Sequence, residues 1–87
     1  MTERELQILG FEINYSRDDQ YWQNYYYYTY KIADGMSLIS NASDEVKENE
    51  PWYVEIFNVD PQIRFNNFGE VQALINNLES RLIKPSV

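Results

Sequence analysis

The residues of this chain best suited to chemistry are tyrosines and carboxylates, because it contains no cysteine and no histidine. This composition excludes thiol nucleophiles, disulfides, the usual structural zinc sites and acid–base catalysis by histidine. Two adjacent acid pairs, Asp18–Asp19 and Asp44–Glu45, could in principle supply a general acid and a general base. Both pairs lie in predicted loops, and the spacing of an EF-hand is missing. We therefore expect no catalytic residues, no metal site and no cofactor.

The most unusual segment is YWQNYYYYTYKI at 21–32, because six tyrosines and one tryptophan lie within its first ten positions. At first sight it looks like a stacking surface for single-stranded nucleic acid, but such surfaces combine aromatic rings with a basic groove. Here the nearest basic residues are Arg17 and Lys31, and the whole chain has a net charge of -7. Because phosphate contacts dominate affinity for nucleic acids, we expect no direct nucleic-acid binding.

A β-strand is the alternative interpretation of the tyrosine run, since tyrosine has a high strand propensity. The run and the following MSLISN flank Ala33-Asp34-Gly35, and a glycine in third place suits the positive φ of a three-residue hairpin loop. The pairs predicted to face the core are Ile32–Met36, Tyr30–Leu38 and Tyr28–Ser40. The pairs predicted to face outward are Lys31–Ser37, Thr29–Ile39 and Tyr27–Asn41. Tyr26 joins the core set by the same alternation, whereas Tyr25 joins the outer set.

Further strands are predicted on both sides of this hairpin. FEINYS alternates so that Phe11, Ile13 and Tyr15 share a buried face. NASDEVKENE is strongly acidic and is predicted to be an exposed loop. WYVEIFN alternates again, and the face with Glu55 is placed outward because burying a glutamate is costly. IRF is a brief further strand or edge segment.

Two helices complete the pattern. Thr2 and Glu5 match a capping box, and Gly10 is suited to end the first helix in a left-handed conformation. The second helix follows a cap at Asn66 or Asn67 and continues to Lys84. Its apolar stripe consists of Phe68, Val71, Leu74, Ile75, Leu78 and Leu82. We expect one α+β domain over residues 1–87. In it, an antiparallel sheet of about four strands carries the C-terminal helix on one face, and the short N-terminal helix packs at an edge.

One long helix covers only one face of such a sheet, so the outer face is the candidate functional surface. Exposed aromatic residues near acids are typical of protein-binding surfaces. The alternative is that Trp22, the loop at 17–24 or the short helix covers this face. The candidate protein-binding residues are Tyr25, Tyr27, Tyr53, Phe57, Glu45, Glu48, Glu50 and Glu55.

Three stretches of the chain, DGMSLISNASDE, WYVEIFN and IRFNNFGEVQALINNLE, resemble small uncharacterised acidic proteins of phages and prophages. The resemblance covers most of the chain and implies no assigned activity. It suggests an analogy of size and charge with phage proteins that inhibit host nucleases or other defence factors, some of them by imitating DNA.

The expected function is therefore protein binding by an inhibitor or adaptor that masks a basic surface of its partner. The acids would steer the encounter and the tyrosines would supply contact area. Self-association through the outer face or an edge strand is the alternative, and a small carboxylate-dependent enzyme is a second one. We expect a cytoplasmic protein, in the host cytoplasm if phage-encoded, because the N-terminus lacks a long apolar run that could act as a signal or a membrane span.

Overall fold

The structure, a computed structural model, describes residues 1–18, 23–46 and 51–83. These residues form a five-stranded antiparallel sheet with two helices, so the predicted α+β class is confirmed with one more strand than expected. The sheet order is the order along the chain, β1-β2-β3-β4-β5. The elements are α1 Glu3–Leu9, β1 Glu12–Asp18, β2 Gln23–Ala33, β3 Met36–Ser40, β4 Val54–Ile56, β5 Arg64–Phe65 and α2 Phe68–Ser80.

The β2–β3 hairpin has half of the predicted pairs. The pairs Thr29–Ile39, Tyr30–Leu38 and Lys31–Ser37 are formed. The predicted pair Ile32–Met36 is wrong, since Met36 pairs with Ala33 after a shift of register between Lys31 and Ala33. A bulge inserts one unpaired residue and so shortens the connection to Asp34–Gly35, where Gly35 has the expected positive φ of 80°.

At its other end, this ladder stops at Thr29–Ile39, so the predicted pairs Tyr28–Ser40 and Tyr27–Asn41 are not part of it. Serine hydroxyls continue the connection beyond that point. The Tyr28 N–H donates to Ser40 Oγ at 2.8 Å, and the Tyr26 N–H donates to Ser43 Oγ at 3.0 Å. The segment that was expected to be an exposed loop therefore begins as a packed continuation of β3, in which Asn41 is buried.

The core lies between the inner face of the sheet and the two helices. As predicted, Tyr28, Leu38 and Val54 point inward and are almost fully buried, and α2 contributes Val71 and Ile75. The short helix α1 also lies over this face, because Leu6 is fully buried and α1 contacts α2. The N-terminal helix is thus part of the core layer, where the sequence predicted packing at an edge.

Both helix starts follow the predicted caps. Thr2 and Glu5 form the capping box, Gly10 ends α1 at a φ of 98°, and Asn67 caps α2 by accepting from the Gly69 and Glu70 N–H groups. The predicted extension of α2 to Lys84 is wrong, since the helix ends at Ser80. Leu82 is 40% exposed, so it does not provide the packing that would stabilise another helical turn. Lys84 and Pro85 lie outside the described residues.

The first strand also departs from the predicted burial. Ile13 and Tyr15 pair with Tyr28 and Tyr26 and therefore share the inner face, as the alternation predicts. Their side chains are nevertheless 40% and 77% exposed. Because β1 is an edge strand, these residues extend past the cover of the helices, and only Phe11, just before the strand, is buried. Asp18, predicted in a loop, is the last residue of this strand.

The inner tyrosines of β2 connect the sheet to both helices. The Tyr28 hydroxyl donates to Glu3 Oε1 of α1 at 2.5 Å and accepts from Gln7 Nε2 at 3.2 Å. The Tyr30 hydroxyl donates to Glu79 Oε1 of α2 at 2.6 Å. Burial, together with the hydrogen bond to Glu3, raises the pKa of Tyr28 to about 12. Neutral Tyr28 is therefore favoured in the folded protein.

Replacing Tyr28 should remove one part of the alkaline destabilisation of the fold. In the unfolded chain tyrosine ionises near its ordinary pKa of about 10, so stability is lost as the pH rises from about 10 toward 12. Between pH 9 and pH 11.5, Tyr28 should account for about 2 kcal/mol of the fall in the free energy of unfolding. Urea unfolding of wild type and Tyr28→Phe should show their difference shrinking by this amount. A difference that is independent of pH would contradict the assignment.

Candidate functional site

An open groove with a volume of about 560 Å³ lies on the outer face of the sheet. Its lining comes from β1 to β4 and from the segments that follow β3 and β4. The lining residues are Ser16, Tyr25, Tyr27, Ile39, Ser40, Asn41, Ala42, Glu45, Tyr53, Glu55, Ile56, Phe57, Asn58 and Gln62. A volume of this size falls within the range of about 300–1,000 Å³ that is usual for ligand sites.

The groove brings together most of the residues predicted to bind a protein. Tyr25, Tyr27, Tyr53 and Phe57 line it, and so do the two carboxylates Glu45 and Glu55. The three tyrosines are half-buried, whereas Phe57 is exposed. Glu48, Glu50 and the proposed cover residue Trp22 lie outside the described residues.

Strand alternation explains why these side chains converge. Tyr25 and Tyr27 are the odd positions of β2, and Ile39 of β3 pairs with Glu55 of β4 on the same face. Beyond β4, the Phe57 N–H donates to the Ser37 carbonyl at 2.9 Å, so the ladder continues and places the Phe57 ring beside the groove.

Asn41 positions Tyr53, although it was not among the predicted site residues. Its Oδ1 accepts from the Tyr53 N–H at 3.0 Å, and its Nδ2 donates to the Pro51 carbonyl at 3.2 Å. The buried side-chain amide thus reinforces the main-chain pairing at this end of the sheet, where the Asn41 N–H also donates to the Tyr53 carbonyl at 3.4 Å. The signal in the sequence is weak, because an asparagine in an acidic, polar segment has the composition of an ordinary loop residue.

Glu55 lies on the outer face, as predicted, but it is not a solvated residue at the rim. Its side chain is only 12% exposed. One oxygen, Oε1, lies 3.8 Å from Arg64 Nη2 of the paired strand β5. The other oxygen, Oε2, is buried and has no hydrogen-bond partner among the described residues. The expectation that glutamate burial would be avoided here is therefore wrong.

Arg64 is the second residue of the site that sequence reasoning missed. Its guanidinium carbon lies 3.8 Å from the centroid of the Tyr53 ring, in a cation–π contact. The Tyr53 hydroxyl is in turn 3.4 Å from Glu45 Oε2, a long and weak hydrogen bond. Burial raises the pKa of Tyr53, the positive charge of Arg64 opposes this, and Glu45 and Glu55 raise the pKa further. Pairing the predicted strands WYVEIFN and IRF with each other could have indicated that Glu55 and Arg64 lie side by side.

The groove lining contains hydroxyl, carboxylate and aromatic side chains. Ser40 is the most buried hydroxyl of the lining, and it is engaged by the Tyr28 N–H and the Asn41 carbonyl. Within residues 1–18, 23–46 and 51–83, no three His, Cys, Asp or Glu side chains cluster closely enough to hold a metal ion. What the lining offers is aromatic surface with two carboxylates, which suits a cationic or hydrogen-bond-donating group.

Comparison of the chain with protein-family models, with curated protein sequences and with solved structures finds no match. In the part of the chain that the structure describes, no helix has the length and apolar character needed to cross a membrane. The resemblance to phage proteins stays a prediction, and the function has to be argued from the groove itself.

Removing the Arg64 charge should raise the pKa of Tyr53 further, because the guanidinium favours the ionised ring. The change is Arg64→Gln, and the measurement is a tyrosine ¹³Cζ NMR titration. The matched control is Lys31→Gln, which removes the same charge from an exposed pair with Asp34 elsewhere on the sheet. The control should leave the pKa of Tyr53 at its wild-type value. If Arg64→Gln also leaves it there, Arg64 does not contact Tyr53 in solution.

Proposed function

We propose that this protein is a small acidic binding module that engages a basic surface of another protein through the outer face of its sheet. The observation that carries the proposal is the groove, in which four aromatic side chains and two carboxylates converge on a face that neither α1 nor α2 covers. Aromatic residues supply much of the binding energy of protein interfaces, and complementary charge directs the encounter.

The more specific form of this proposal is an inhibitor or adaptor that masks a protein handling nucleic acids or taking part in defence. Two considerations support it: the net charge of -7, and the acids beside the aromatic groove, which repel phosphate and attract the basic surfaces that bind it. The module would act by binding, without catalysis, in the cytoplasm, which is that of the host if a phage encodes the chain.

The first test is a quantitative pull-down from bacterial lysate with tagged wild type and a Tyr27→Ser/Tyr53→Ser double variant. Wild type should recover a defined protein at 50 mM salt and at least tenfold less of it at 300 mM salt, because salt screens attraction between surface charges. The double variant should recover at least tenfold less at low salt, as expected when two central aromatic contacts are lost.

The matched control is Tyr15→Ser, which removes an exposed tyrosine from the opposite face of the same sheet. It should recover as much partner as the wild type does. Equal recovery by all three proteins would show that the outer face is not the binding surface. Circular dichroism of each variant checks that the fold is retained.

Self-association is the second candidate, and the edge strand β1 is the observation that favours it. An edge strand presents unpaired main-chain groups to a second chain, and β1 adds the largely exposed side chains of Ile13 and Tyr15. Two copies pairing along β1 would join their sheets and cover this apolar strip. The outer groove would remain open in such a dimer.

Light scattering at increasing protein concentration tests this candidate. A dimer would have a mass near twice the 10.4 kDa of the chain, and Tyr15→Glu should restore the single-chain mass by placing like charges at the interface. Tyr27→Ser/Tyr53→Ser should leave the dimer intact. Salt should strengthen self-association of these acidic chains, the opposite of its effect on a basic partner. A wild-type mass of 10.4 kDa at all concentrations would reject the candidate.

A further inference from the structure

We propose that the outer groove receives one arginine side chain of the partner, whose guanidinium lies against the tyrosine rings and pairs with Glu55 and Glu45. This inference rests on the proposed function, since it names the group that the binding face recognises. Three independent features of the groove support it: its charge, the contact that Arg64 already makes beside it, and the unpaired oxygen of Glu55.

The charged residues that line the groove are all negative. Among the residues that line it, Glu45 and Glu55 are acidic and none is basic. Arg64 contacts Tyr53 and Glu55 but is not part of the lining, so it reaches them from outside the groove. The field of the largely buried Glu55 carboxylate is screened less than that of a carboxylate in open water, because solvent is excluded from it. A cationic group is therefore the favoured occupant.

Arg64 shows that Tyr53 and Glu55 together accept a guanidinium. Its guanidinium lies over the Tyr53 ring at 3.8 Å from the centroid, while its Nη2 is 3.8 Å from Glu55 Oε1. A guanidinium is planar and weakly hydrated, so it can stack on a ring and donate to a carboxylate at the same time. An ammonium is a compact, strongly hydrated charge, so it loses more hydration on entering an aromatic groove. These properties favour arginine over lysine.

The second oxygen of Glu55 provides the hydrogen-bond acceptor for the incoming group. Oε2 is buried without a partner among the described residues, which is unfavourable for a carboxylate. An arginine N–H that reaches it would satisfy this oxygen. Because Oε2 is covered in the unbound protein, the groups that cover it have to shift as the guanidinium enters. Glu45, which is exposed at the groove, is accessible to the arginine first.

The test uses the short peptide Ac-Gly-Arg-Gly-NH₂ as probe, with citrulline and lysine versions of the same peptide for comparison. Citrulline keeps the shape of arginine but lacks its charge. In ¹H–¹⁵N NMR titrations of the full chain, the arginine peptide should shift the amide signals of Tyr27, Tyr53 and Glu55. It should bind at least tenfold more tightly than the citrulline peptide and measurably more tightly than the lysine peptide.

Glu55→Gln should weaken binding of the arginine peptide by about tenfold, the loss expected for one charge-assisted hydrogen bond. The matched control is Glu12→Gln, which removes the same charge from an exposed position of the same sheet face outside the groove lining. It should bind the peptide as the wild type does. If Glu55→Gln does not fold, Glu45→Gln provides the corresponding measurement at the groove rim.

The proposal is overturned by equal binding of the arginine and citrulline peptides, by shifts that map away from the groove, or by unchanged binding after both glutamate substitutions. Equal binding of the lysine peptide overturns the preference for a guanidinium. These results are distinguishable from failure of the proposed function. If recovery of the partner depends on Tyr27 and Tyr53 but not on Glu55, protein binding by the outer face is supported and arginine recognition in the groove is rejected.

Discussion

The alternation of side chains along β2 is the constraint on which the rest of the structure depends. Tyr28 and Tyr30 point inward, where their rings fill the core or its border and their hydroxyls donate to Glu3 of α1 and Glu79 of α2. Both helices are thereby tied to one face of the sheet by the same strand. Tyr25 and Tyr27 necessarily point the other way, since a strand has a period of two. The division of the tyrosine run into structural and groove-lining residues is a consequence of this geometry, and a shift of one residue would exchange the two sets.

The outer face of the sheet is organised by polar contacts, whereas the inner face is organised by hydrophobic packing. Arg64 joins two of its residues, stacking on Tyr53 and lying near Glu55, and Asn41 fixes the main chain of Tyr53 from the neighbouring segment. These contacts hold the aromatic side chain of Tyr53 and the acidic side chain of Glu55 in place without a covering layer from α1 or α2. A partly buried carboxylate with one unpaired oxygen does not help the fold, because burial removes water without supplying a full set of donors. Its presence in the groove is the observation from which the proposed recognition of a cationic group starts.

Much of this fold was predictable because local rules decided it. The capping box at Thr2, the left-handed Gly10, the Asn67 cap and three pairs of the β2–β3 ladder all follow from residue type and spacing. The outcomes that differed depend on tertiary contacts. The exposure of Tyr15 follows from its place on an edge strand, and the early end of α2 goes with the exposure of Leu82, the last residue of its predicted stripe. Predicting the burial of Glu55 and the hydrogen bonds of Asn41 to the Tyr53 segment would have required knowing which strands lie beside these residues. For the same reason the sequence could place Tyr53 and Glu55 on one face but could not show that Arg64 joins them.

Stacking and electrostatics restrict the ligands of the groove more narrowly together than either does alone. Rings such as Tyr27 and Tyr53 can stack on a nucleobase, a sugar or a guanidinium, so aromatic surface by itself does not discriminate between these ligands. The carboxylates of Glu45 and Glu55 oppose phosphate, and the net charge of -7 extends that repulsion over the whole molecule. A neutral sugar gains little from a partly desolvated carboxylate compared with a cation, which gains from both the rings and the acids. A planar cation is the ligand class that the rings and the carboxylates lining the groove both favour, and in proteins that cation is the arginine side chain, the group we propose.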